Sequence, residues 1–325
     1  MDNKRPYARI AWPIWLALAL ATVAVMFACA MTGVVDFGLS EALHSDIFWQ
    51  LRMPRIALAL LVGISLSVSG AVYQSIFRNP LTDPYVLGVS SGASLGAAVA
   101  IFLGLEATLG GVGLCALATA LLTVVAIYRI AAIGNRMHTT TLLLTGVCFT
   151  LLISAVISFL MVLNQDKMDS IIFWTMGSFG SATWADVLMV APVVLIGTWV
   201  IFYYAKDLNL LLAGSEIAQS MGVEVEKVKK ILLVVTTLMV AFSVSACGVI
   251  GFVGLIIPHA VRHVVGPDNR RVVPCSVFIG GIFLVLCDTV SRILLKPSEL
   301  PVGSITALIG APMFIFLLYK NKKRY

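Results

Sequence analysis

The sequence predicts an all-α membrane protein with about ten transmembrane helices and both termini in the cytoplasm. Three observations carry this. Of its residues 60% are hydrophobic and 12% charged, whereas a soluble domain is about one quarter charged. Apolar runs long enough to cross a hydrocarbon core of about 30 Å recur along the whole chain. The lysines and arginines fall in the short segments between those runs, with a strong bias to one side.

The runs lie at 11–31, 56–76, 86–104, 110–130, 142–163, 185–205, 231–250, 252–265, 273–294 and 302–319. In lipid every backbone polar group needs a partner within the protein, so each run should be a helix. The first follows Lys4, Arg5 and Arg9 and ends in Ala28-Cys29-Ala30, which mimics a cleavable signal sequence. Its length of about 20 residues suits a retained span better. The second carries Gly63, Ser65, Ser67, Ser69, Gly70 and Ala71, small residues that let helices approach closely in lipid. RNPLTDP, with Pro80 and Pro84, makes a tight turn into the third run, GVSSGASLGAA. The fourth to seventh runs are long and continuous. The eighth is short, Gly-rich at its start and contains Pro258. The ninth and tenth close the chain. No linker or second soluble domain is visible, so residues 1–325 read as one transmembrane domain.

With the N-terminus inside and the runs alternating, the inner segments hold 17 of the 22 lysines and arginines. The outer ones hold Arg52, Arg55, Lys167, Arg292 and Lys296. Arg52, Arg55 and Arg292 therefore sit against span ends on the side where cations are disfavoured. Either they anchor helix ends by snorkelling to the headgroups, or they form a docking patch for an acidic partner, because arginine forks pair carboxylates bidentately.

The net charge of +6 has no basic face to carry it, which excludes a nucleic-acid partner. The six cysteines form no CxxC pair and read as free thiols. His259 and His263 are one helical turn apart but lack a third ligand, so no metal is expected. There is no G-x-x-x-x-G-K-[ST], HExxH or G-x-S-x-G, so neither ATP binding by the usual loop nor catalysis is expected. Asp288 is the candidate intramembrane acid, with Arg292 four residues on. The longest polar interval, 206–230, reads as a short helical hairpin on the inner face. Its helix breaks at Ala213-Gly214-Ser215-Glu216, with Ser215 as N-cap, and Gly222 ends the second limb. It is either a plain interfacial loop or a contact site for a cytoplasmic partner.

Several long stretches then become familiar, in order: RMPR (52–55), SGAVYQSIFRNPLTDPYVLGVSSGASLGA (69–97), FWTMGSFGSATW (173–184), LLAGSEIAQSMGV (211–223), GVIGFVGLIIPHAVRHVVGPDNRRVVP (248–274), DTVSRILL (288–295) and ELPVGSITALIGAPMFIFLL (299–318). On these the chain resembles the FecCD/BtuC family of ABC-importer permeases. The resemblance implies a multi-pass permease in a bacterial or archaeal plasma membrane, working as a homodimer with a path on its two-fold axis. Two copies of a separate ATPase would bind beneath it, holding the ATP and Mg, and this chain would bind no cofactor itself. An extracytoplasmic binding protein would deliver cargo to Arg52, Arg55 and Arg292. Leu212, Ala213, Gly214, Ser215, Glu216, Ala218 and Gly222 would belong to the helices that couple to the ATPase. Thr139 and Thr140 would fall at a polar constriction of the path. The family's commonest cargo is an iron chelate (siderophore or haem), followed by cobalamin and oxyanions, and no residue decides between them. An ion-driven secondary transporter, the rival reading, predicts several buried acids and an inverted repeat. The sequence offers one such acid and no convincing repeat.

Overall fold

The computed structural model describes residues 12–33, 44–107, 110–133, 136–137, 139–295 and 298–322. Lys4, Arg5, Arg9, Lys296, Lys323 and Arg324, used above for orientation, lie outside them. The described residues form α1 (Trp12–Met31), α2 (Met53–Ile76), α3 (Val89–Phe102), α4 (Gly111–Ala131), α5 (Thr139–Leu163), α6 (Met168–Thr175), α7 (Trp184–Tyr203), α8 (Ala205–Ala213), α9 (Ser215–Ser220), α10 (Val225–Cys247), α11 (Val253–Val265), α12 (Asn269–Ile293) and α13 (Val302–Lys322). A two-residue antiparallel ladder, Ala132 with Met137 and Ile133 with Arg136, joins α4 to α5. Every predicted apolar run is a helix, and the membrane class holds. Among the described residues seven helices are long and apolar enough to cross a bilayer, while α3, α11 and the apolar part of α13 are shorter. α6 was not foreseen. It is only 8 residues long and follows the polar turn Asn164–Lys167, which reads as loop.

α2 is the centre of the protein. It packs against α1, α7, α8, α10, α11 and α12, and from Leu61 to Ile76 every residue is buried. Its small residues make this possible. A Cβ at Gly70 would collide with the backbone carbonyl of Gly254 in α11, and one at Gly63 with that of Gly280 in α12. Backbone-to-backbone contact is what small residues give helices in lipid, where there is no hydrophobic force to pull them together. Ser67 uses the same closeness, and its Oγ donates to Ser276 O at 2.8 Å across the α2–α12 crossing.

α1 lies on α12 and α2. Its end is fixed by cations: Arg52 Nη1 donates to Ala30 O at 3.0 Å, and Arg292 Nη2 to Cys29 O at 3.2 Å. The last carbonyls of a helix lack internal partners and carry the negative end of its dipole, so arginine is the natural cap there. α5 is as exposed as α1. Only Leu142, Gly146, Ile153 and Ile157 are buried among its 25 residues, and Leu144, Leu151, Phe159 and Val162 face outward.

Candidate functional site

Two polar assemblies stand at opposite ends of α2. Arg55 and Ser75, near its two termini, are about 30 Å apart at 1.5 Å per residue. At the first end Arg55 and Arg292 converge on Asp288, which is 0% exposed. Arg55 Nε and Nη2 each lie 2.9 Å from Asp288 Oδ1, and Arg292 Nε is 3.2 Å from Oδ2. The remaining guanidinium nitrogen of Arg55, Nη1, faces both carboxylate oxygens of Glu299, Oε2 at 2.9 Å and Oε1 at 3.0 Å. Arg292 also donates to Thr32 O and Thr289 Oγ1. The i,i+4 pairing of Asp288 with Arg292 expected from sequence is present. Arg55, its stronger partner, comes from 233 residues away and no spacing announces it.

Arg52, Arg55 and Arg292 are thus brought to one end, as expected, but they are 8%, 8% and 5% exposed. They pin α1, α2, α12 and the segment before α13 together. Neither snorkelling to headgroups nor a free docking patch describes that arrangement. The reachable member of the cluster is Glu299, whose side chain is 40% exposed. Backbone bonds hold its neighbours: Leu300 N donates to Ser291 O, Val302 N to Gly177 O and Gly303 N to Met176 O, all at 3.0–3.1 Å.

The second end carries the hairpin. α8 stops at Ala213 because Gly214 takes φ +137°, a conformation costly for any residue with a Cβ. Gly214 itself occupies the N-cap position of α9, so Ser215 is the first helical residue and not the cap predicted for it. The Ser215 hydroxyl instead receives Lys229 Nζ from α10 at 3.3 Å. Gly222 (φ +86°) ends the second limb as predicted. Val223 N reaches Ala218 O and Gly222 N reaches Gln219 O, the paired bonds of a glycine-terminated helix. Leu212 and Ser215 are half-buried and Gly214 and Ala218 are buried, whereas Ala213, Glu216 and Gly222 are exposed together with Ile217 and Met221. An open cavity of about 1300 Å³ runs beside this limb, between α4 and the start of α10, lined among others by Arg129, Glu216, Gly222 and Lys230.

Sequence reasoning missed a third group beneath α2. Asn209 of α8 donates to Asp268 Oδ1 at 2.6 Å and accepts from Asn269 N at 2.7 Å. Asp268 caps α12 through Arg270 N at 3.0 Å. Burial opposes ionisation of Asp268, but the Asn209 amide and the Arg270 backbone and side chain outweigh it and hold the carboxyl below its ordinary 3.8. The signals were an asparagine one residue from Leu210-Leu211-Leu212 in the α8 limb and a GPDN turn, both readable only as turn chemistry. Thr139 and Thr140, at the start of α5, are half-buried and exposed respectively. His259 and His263 stack edge to face at 4.8 Å, and among the described residues no cluster has the composition of a metal site.

Comparison with known proteins agrees with this architecture. The Halobacterium salinarum cobalamin import system permease protein BtuC is 45% identical over 310 residues, covering 95% of this chain and 80% of that one. The Salmonella arizonae vitamin B12 import system permease protein BtuC is 35% identical over 333 residues, covering 99% and 100%. A solved structure described as an inward-facing, metal-chelate type ABC transporter superposes with a TM-score of 0.87 at 33% identity, covering 95% of this chain and 99% of that one. The model of the FecCD transport family matches residues 10–320. A multi-pass fold centred on a small-residue helix, and a family match over nearly all of the chain, lead to one conclusion: this chain belongs to the FecCD transport family, as the membrane-spanning permease of an ABC importer.

Proposed function

We propose that this chain translocates a bulky metal chelate delivered by an extracytoplasmic binding protein, driven by two copies of a separate ATPase bound to a homodimer. Cobalamin is the cargo we place first, because the permeases covering this chain end to end carry that name. An iron chelate, expected from the family's habits, is second and is supported by no residue. The observation that carries the reading is the placement of two sites at opposite ends of α2. The arginine–carboxylate cluster is suited to meeting the carrier, and the exposed limb 213–222 to meeting the ATPase. On this reading the N- and C-termini are cytoplasmic, and α5, with its broad uncovered apolar face, contributes to the two-fold interface and brings Thr139 and Thr140 toward the path.

Docking at the arginine end needs a refinement. Arg52, Arg55 and Arg292 already have acceptors within the chain, so an acidic lobe engages them by competing with Glu299 for Nη1 of Arg55. Charge complementarity of that kind sets orientation and on-rate more than affinity. Against the ion-driven rival stands the state of Asp288. An acid that carries protons across a membrane must open to water, and this one is enclosed by two guanidiniums.

Reconstitution tests the proposal. Proteoliposomes with the permease, its ATPase, internal ATP and external binding protein should accumulate cobalamin, and omission of any one component should abolish accumulation. Uphill uptake by the chain alone on an ion gradient would refute it. A cysteine at Glu299 should cross-link to the docked carrier; failure to do so with active transporter would place docking elsewhere.

A further inference from the structure

We infer that Asn209 is a positioning residue that couples the hairpin to α2 through a hydrogen-bonded clasp, so that displacement of α8 is delivered to the central helix. The inference rests on the reading of the 213–222 limb as the ATPase contact and deepens it. It concerns how motion leaves that contact and reaches the helix around which the fold is built.

The chain of contacts is continuous. α8 packs on both α2 and α12, with Leu208 and Leu211 buried and Asn209 half-buried between them. The two ends of the Asn209 amide are both engaged, one with the Asp268 carboxylate and the other with Asn269 N. These are the N-cap and first residue of α12, so one side chain holds the origin of that helix. Asn269 is 0% exposed. Its Oδ1 accepts from Arg262 Nη2 of α11 at 3.0 Å and faces Ser75 Oγ of α2 at 3.2 Å. The same Arg262 nitrogen reaches Ser75 Oγ at 2.9 Å and the α2 carbonyl of Ala71 at 3.0 Å. Four helices therefore meet in five polar side chains: α8, α12 with its cap Asp268, α11 and α2.

The clasp is built to change as well as to hold. Arg262 Nη2 carries two hydrogens and faces three acceptors. Ser75 has one hydroxyl hydrogen and faces two, Ala71 O at 2.7 Å and Asn269 Oδ1. Among the described residues Arg262 Nε and Asn269 Nδ2 have no hydrogen-bond partner. Acceptors compete for some donors while other donors stand idle, so more than one pairing is available within the same cage. In a low-dielectric surrounding each pairing is strong, which makes such a network switch between discrete arrangements rather than deform smoothly. The carbonyl at Ala71 lies one residue from Gly70, where α2 touches the backbone of α11. A pull on Asn269 is thus applied to α2 beside its closest crossing.

The test exchanges donor and acceptor. Asn209→Asp sets two carboxylates against each other, and Asp268→Asn in the same chain restores one donor and one acceptor, with the new amide oxygen still able to cap Arg270. The complete transporter, with its ATPase and binding protein, is reconstituted, and transport, ATPase content and ATP hydrolysis are measured together. Asn209→Asp should lower transport about tenfold, within the range of ordinary coupling energies, with ATPase content and hydrolysis little changed. The double variant should recover most of the transport. Asn209→Leu, which keeps the packing of α8 but removes both bonds, should uncouple in the same way and serves if Asn209→Asp does not assemble. Transport by both single variants within about twofold of the native protein would overturn the inference. Loss of the ATPase from both would also overturn it, by making Asn209 part of a docking surface. Ile217→Asp, on the exposed limb, checks the underlying reading separately. It should release the ATPase, and retention would refute the hairpin contact whatever the Asn209 variants do.

Discussion

Removal of the Asp288 carboxylate is the sharpest test of how the arginine end is held. Asp288→Ala leaves Arg55 and Arg292 buried side by side. Arg55 keeps Glu299, and Arg292 keeps Thr32 O, Cys29 O and Thr289 Oγ1. Deleting one partner of a buried ion pair costs about 3–5 kcal/mol, because the survivor stays desolvated and uncompensated. The remaining acceptors put this site at the lower end, about 3 kcal/mol, or roughly a hundredfold in the folding equilibrium at 1.4 kcal/mol per factor of ten. Reversible unfolding in mixed micelles, followed by circular dichroism as the denaturing detergent fraction rises, measures it. The double variant Asp288→Ala with Arg292→Leu should recover about 1 kcal/mol or more, since one orphaned charge is gone. A single-variant cost within about 0.5 kcal/mol of zero, the range of an ordinary surface substitution, would refute the reasoning and recast the cluster as a solvated ion pair.

Other substitutions follow from the same geometry. Gly70→Val should destabilise the protein by about 1–3 kcal/mol through overpacking and abolish uptake, because the obstruction is the Gly254 backbone and no rotamer change relieves it; thermal unfolding and transport assays read both. Gly214→Ala forces a Cβ into a left-handed conformation at the hairpin bend and should cost about 1–3 kcal/mol of local strain, seen as faster proteolysis of the 213–222 limb with the helical bundle intact. Because Asp268 titrates below 3.8 when folded, its contribution to stability is complete above the ordinary aspartate range and is lost as pH falls through the lowered value. Unfolding of the native protein should therefore be insensitive to this group between about pH 5 and 8 and weaken below about pH 4, and Asp268→Asn should flatten that acid limb.

Local chemistry was legible in the sequence and long-range pairing was not. Apolar length located every spanning helix, and Gly214 and Gly222 marked both bends of the hairpin. The small residues of α2 announced close packing, because a missing Cβ is itself the message. Charge bias placed Arg52, Arg55 and Arg292 at one end, as the fold does. It could not say that Glu299 and Asp288 would already occupy Arg55, since those contacts join residues 244 and 233 positions apart. Ser215 was misplaced by one position because glycine competes with serine at a helix start, and a φ of +137° is decided by the tertiary bend. The Asn209–Asp268 bond, 59 residues long in sequence, has no period or spacing that a linear reading can detect.

The modest lengths of α3 and α11, 14 and 13 residues, have a consequence for how the protein meets its solvent. At 1.5 Å per residue each covers about 20 Å, against a hydrocarbon slab of about 30 Å. Both are mostly enclosed by longer neighbours; α3 follows the 3-10 turn Pro84–Leu87 and α11 follows irregular chain at 248–252, and the two are joined where Tyr85 Oη donates to Ile250 O at 3.0 Å. Non-helical backbone at that depth survives only when sealed from acyl chains. The molecule therefore turns full-length staves such as α4 and α7 toward acyl chains and keeps these two short helices, with the joint between them, inside a ring of longer ones.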